Sequence, residues 1–186
     1  MPHVALELVP LPLATQRSAL DEGAVDIALV REPIEREGLH LIALYDEVPV
    51  VVTAAESALT TAEELSPADL AGEVLLHAAD EPWFRGEAGD FAAFALEGTL
   101  APAFGALPSV EDAVATVAAG VGIMVVPMSL ARLHHRRDVT FRPLAAALAS
   151  PVALAWPREG RTPDEEADVQ AFIGIVRGRR ATSSRD

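Results

Sequence analysis

Across residues 109–130, SVEDAVATVAAGVGIMVVPMSL, the apolar rhythm of the chain changes midway. Val110, Val114 and Val117 recur at helical spacing and define one face of an amphipathic helix. Ser109 stands before them as an N-cap, and Asp112 supplies the acid of a capping box in its shorter form. Gly120 and Gly122 break the helix. Ile123, Met124, Val125 and Val126 then form an apolar run of strand length, which Pro127 ends because it has no N–H to donate. A helix that turns directly into a buried strand predicts an α/β layered domain.

The flanking sequence supplies further elements of both periods. Residues 3–9 (HVALELV) alternate apolar and polar side chains and predict a strand; residues 13–22 predict a short helix closed by Gly23. Residues 25–30 (VDIALV) predict a strand buried on both faces. Strand, helix, glycine and strand in that order predict a right-handed crossover between parallel neighbours. Strands are expected at 39–44, at 48–53 behind Glu47, and at 73–77, with a loop and a turn of helix over 54–67. Residues 80–89 read as a polar loop around Pro82, Trp83 and Phe84, 91–97 as a short helix and 99–107 as a linker or strand. After Pro127 come a helical turn at 129–132, strands at 139–143 and 152–156, and a last helix at 163–177. Thr162 caps that helix, Pro163 opens it, and Val169, Phe172, Ile173 and Val176 form its apolar face. Residues 181–186 are a polar tail.

Composition narrows the classes. At 186 residues the chain suits one ordinary domain or two small lobes sharing strands. A 51% hydrophobic share with 5% aromatic residues predicts a core of Ala, Val and Leu. No apolar run approaches the roughly 20 residues a membrane helix needs. The first residues have no basic region ahead of an apolar one, so no secretory signal is expected and the cytoplasm is the default. Without cysteine, neither a disulfide framework nor a thiolate metal site is possible. All 14 basic residues are arginine, and a net charge of −14 argues against phosphate-backbone binding by this chain.

A series of short motifs also carries a resemblance. Pro2-His3-Val4 opens the first strand, Leu20-Asp21-Glu22-Gly23 ends the first helix, and Asp26-Ile27-Ala28 starts the next strand. Gly38-Leu39 opens another strand, Glu47 leads the one after it, and Ser66 to Gly72 reads SPADLAG. Val117-Ala118-Ala119-Gly120, then Gly122-Ile123, then a strand closing on Pro127 complete the series. In this order and spacing, from Pro2 to about Gly178, the chain resembles the effector-binding domain of LysR-type transcriptional regulators.

The resemblance implies a two-lobed α/β fold of the type II periplasmic-binding-protein kind, with hinge strands between the lobes near 47–53 and 139–142. Lobe one would comprise 1–53 plus 140–186, and lobe two 54–139. The family's winged helix-turn-helix is absent from the sequence, as are the first strand of lobe one and the helix after it. The implied function is a sensor that binds a small organic effector, a carboxylate above all, in the cleft between lobes, with no cofactor. The implied partners are that effector and a second copy in a homodimer, with no membrane, and with DNA reached only through a helix-turn-helix domain outside this chain.

Mapped by the same resemblance, the effector-binding candidates are Val30, Arg31, Val48, Pro82, Trp83, Phe84, Val126 and Pro127. Val30 and Arg31 follow a strand where the family lines its cleft. Val48 occupies a crossover position where some members carry an arginine, so that anion contact is missing here. Pro82 and Phe84 match an element facing the effector in members that sense aromatic acids, and Val126 and Pro127 close the far wall. Each has a plainer reading. Arg31, in REPIERE, suits an ion pair with Glu32 or Glu35 as well as a bidentate contact to a carboxylate. Trp83 and Phe84 suit a plug of their loop onto the core. His134 and His135 are adjacent, do not share a helix face and have no third ligand nearby, so no metal site is expected. Gly120 and Gly122 end a helix and start a strand, opposite to the order of a phosphate loop. A solute receptor of the same fold would need a leader or anchor. An enzyme would need a catalytic constellation, and neither lysine, cysteine nor a nucleophile–base pair is there to form one.

Overall fold

The computed structural model describes residues 4–80, 105–145 and 150–178. By its contacts the chain divides into two compact units. Unit 1 holds the residues up to Leu44 and from Ala153 onward, and unit 2 runs from Tyr45 to Val152. The chain passes from one unit to the other twice, inside β2 (Leu39–Glu47) and inside β6 (Ser150–Pro157).

In unit 1, β1 (Ala28–Arg31), β6 and β2 form a sheet in that order. Alternation along the strands separates two cores. Ala28, Val30, Leu39, Ala153 and Ala155 pack with Leu20 of α1 (Gln16–Asp21). Leu154 and Trp156 pack with Val169 and Ile173 of α4 (Pro163–Gly178). The α4 N-terminus is fixed by Thr162 and Glu165: the Glu165 carboxylate accepts from the Thr162 N–H and hydroxyl at 2.8 and 2.9 Å. Those bonds hold the Glu165 carboxyl below its ordinary pKa. At the other end of α1, Gly23 takes φ +69°, and its N–H and that of Ala24 return to the Leu20 and Ala19 carbonyls, a glycine-terminated helix end.

Unit 2 is built on an antiparallel sheet of order β4-β3-β5, where β3 is Pro49–Ala54, β4 Met124–Pro127 and β5 Val139–Pro143. Val50 pairs with Val126 and Pro143, and Val52 with Met124 and Phe141. These residues carry one core against α2 (Val110–Ala118), whose Val110, Ala113, Val114 and Val117 face it. Val51 and Val125 point the other way, into a second core with Leu65, Leu70, Leu75 and Leu144. Both faces of β3 are therefore covered, which is why its sequence is apolar without alternation. After β4 the chain turns into α3 (Met128–Leu133), with Pro127 as its N-cap.

Three expectations are corrected. Residues 4–12 up to the first helical turn form no strand, and Leu8 is 92% exposed. Alternation gives a segment two faces but no ladder partner, and none of the described strands pairs with it. The expected crossover is therefore not formed, and β1 stands at the end of the described sheet order. Residues 73–77 make isolated bridges, Leu75 with Ile123 and then Ala78 with Leu107, too short for a strand. The continuous registers of β3 with β4 and β5 keep these three strands together in the unit that runs from Tyr45 to Val152. The readings for 81–104, including Pro82, Trp83 and Phe84, lie outside the described residues.

Candidate functional site

In unit 1 the candidates are the last residues of β1. Val30 is fully buried and packs against Leu20 and Leu39, so its side chain anchors the strand and presents nothing to a ligand. By alternation, Arg31 is directed to the opposite face of the sheet, and it is half-buried. Its backbone is held by a side chain that sequence reading passed over. The Gln16 amide donates to the Arg31 carbonyl at 2.8 Å, and its oxygen accepts from the Arg31 N–H at 3.1 Å. Gln16 is only 6% exposed and shares the buried stripe of α1 with Ala19 and Leu20. A polar residue on an apolar helical stripe was the sequence signal for it. Glu32, one of the two acids offered as a partner for Arg31, pairs with Arg36. Arg17 steadies the segment after β1 by donating to the Glu35 and Glu37 carbonyls at 2.6 and 2.8 Å.

In unit 2 the structure brings Val48, Val126 and Pro127 together. Pro49 lies opposite Pro127 in the ladder, and the Val48 carbonyl accepts from the Met128 N–H at 2.9 Å. Val126 is a core side chain beneath α2, and Pro127 is buried as the N-cap of α3. Of the three, Val48 alone has substantial exposed surface, 45%. Next to it Glu47 is 5% exposed, and its carboxylate accepts from the Ser129 N–H at 3.4 Å, a long bond.

Two further titratable sites are shaped by their surroundings in the fold. His77 is 6% exposed and burial lowers its pKa, which keeps the imidazole neutral at pH 7. Arg136 binds Asp138 through two hydrogen bonds of 2.9 and 2.8 Å, and these hold the Asp138 carboxyl at about 2. Among the described residues no group of His, Asp and Glu is placed to hold a metal ion. Among them, too, no helix is long and apolar enough to cross a membrane.

Two units built on separate sheets, with helices against them and two chain crossings, define the class: the two-lobed α/β fold of type II periplasmic-binding proteins. Residues 1–181 match the LysR substrate binding domain, and the chain belongs to that family. It is similar to HcaR of Escherichia coli (strain K12), the Hca operon transcriptional activator, at 26% identity over 184 residues. That match takes in 97% of this chain, which spans 60% of the length of HcaR. Among solved structures, the reduced form of OxyR is similar with a TM-score of 0.74 at 22% identity, covering 99% of this chain and 85% of that one. The BenM effector binding domain, solved with its effector benzoate, gives a TM-score of 0.69 at 19% identity, covering 93% of this chain and 82% of that one.

Proposed function

We propose that this chain is the ligand-sensing part of a LysR-type transcriptional regulator, and that its ligand is a small organic carboxylate. The observation that carries the reading is the family match over residues 1–181. The benzoate bound by BenM supports the choice of a carboxylate, and Arg31, at the end of β1, is the residue assigned to its charge. HcaR is an activator of transcription, and this chain is assigned no reaction. Having no cysteine, the chain senses nothing through thiol–disulfide exchange of its own. A net charge of −14 argues against DNA binding by this chain itself; the family likeness supports the reading that it works in the cytoplasm and associates as a homodimer.

The test is a thermal-shift series of the purified chain against benzoate and short aliphatic carboxylates, with light scattering on the same samples. A ligand that binds only the folded state raises the melting temperature with concentration, by about 2.7 kcal/mol of stabilisation at a hundredfold excess over Kd. A saturable rise that is weakened in Arg31→Ala, from particles of twice 19.6 kDa, is the expected result. Cooperative melting with no rise for any carboxylate would sink the ligand assignment. Particles of one chain's mass would sink the dimer.

A further inference from the structure

We infer that Gln16 is the positioning residue for Arg31, so that ligand affinity depends on an amide that does not itself touch the ligand. The inference rests on the reading of Arg31 as the carboxylate contact and names what holds that contact in place.

The geometry is that of a strand neighbour made from a side chain. In an antiparallel ladder, a residue exchanges both its N–H and its C=O with one partner. Gln16 reproduces that double exchange with Arg31 at 3.1 and 2.8 Å, using one carboxamide as both acceptor and donor. The N–H and C=O of one strand residue lie on the same edge, so Gln16 occupies one edge of β1 at Arg31. Ala28 and Val30 hold the strand by packing with Leu20 of the same helix.

Two fixed points thus bracket the Arg31 Cα, the packed Val30 side chain before it and the Gln16 amide at its own backbone. An arginine has several rotatable bonds, and a bidentate contact to a carboxylate needs its root fixed. Gln16 is itself fixed, because α1 presents it on the same buried stripe as Ala19 and Leu20. A purely apolar residue there would fill the volume and remove both hydrogen bonds to the Arg31 backbone.

A double-mutant cycle separates this role from general support of the fold. Gln16→Met keeps the volume and removes both hydrogen bonds; Arg31→Ala removes the proposed contact. Benzoate affinity is measured by calorimetry for the four combinations, and thermal melting confirms that each is folded. The expected result is a roughly three- to tenfold loss for Gln16→Met, the range that hydrogen bonds of this kind supply. That loss should vanish when Arg31 is already alanine. An equal loss in both backgrounds, or none in either, overturns the positioning role while leaving Arg31 as a contact. If Arg31→Ala binds as tightly as the parent chain, or if the parent binds no benzoate, the underlying reading fails and takes the inference with it.

Discussion

At the scale of single residues, the polar groups admitted to the interior are the informative ones. Gln16 binds the backbone of Arg31 at the end of β1, and Glu47, the last residue of β2, accepts from the Ser129 N–H in the first turn of α3. His77 differs, because burial lowers its pKa. Unfolding exposes it and restores the ordinary value near 6.5. As pH falls below that value the unfolded chain takes up a proton that the folded chain refuses, so stability contributed by the neutral histidine is present above about pH 6.5 and lost below it, until the lowered folded pKa is reached. Urea unfolding midpoints measured between pH 5 and 8 should therefore fall on the acid side. The His77→Gln variant should lose that part of the slope, which for one proton is at most about 1.4 kcal/mol per pH unit. Identical slopes for both proteins would contradict this account.

At the scale of elements, α2 and the glycine turn after it show what sequence conveys and what it withholds. The cap is as the spacing predicts: the Ser109 hydroxyl accepts from the Asp112 N–H at 3.1 Å. Asp80, thirty positions earlier, adds a bond from the Val110 N–H at 2.8 Å that no local motif announces. Gly120 ends the helix with φ +75°, a conformation that suits glycine. Gly122 serves another purpose. A Cβ there would collide with the Val74 carbonyl oxygen, the same oxygen that accepts from the Ile123 N–H at 2.8 Å. Gly122→Ala should accordingly cost about 1–3 kcal/mol, as overpacking does, and speed hydrogen exchange at Ile123 and Leu76. An unchanged melting temperature would show that the 74–76 segment yields freely. Periodicity marked α2, β4, β5 and α4 because each buries a face of its own sequence. It misread residues 4–9, since a strand also needs an edge to pair with, and edges are set by distant chain. The same limit applies to the candidate residues. Val30 and Val126 are apolar because they are core, and Gln16 shows in the sequence only as a polar residue on an apolar stripe, its role being set by its bonds to Arg31.

For the molecule as a whole, the choice of arginine throughout has a structural use. Arg142 donates to the Ala62 and Thr60 carbonyls, Arg158 to the Leu39 carbonyl, and Arg161 to the Pro157 and Asp26 carbonyls. These guanidinium groups tie loops to strands, and Arg142 and Arg161 reach in two directions at once, as an ammonium on a single stem does less well. Positive charge engaged in this way is not offered to phosphate, which agrees with the overall acidity. The two crossings of the chain also have a mechanical meaning. Unit 2 is an insertion within unit 1, so tension applied to unit 1 near residues 13 and 173 travels through unit 1 alone while that unit holds. In an optical trap unit 1 should rupture first, and only then should residues 45–152 begin to bear load; handles moved to 45 and 152 should reverse the order. Under pulling, the inserted unit is sheltered by the one that encloses it in sequence.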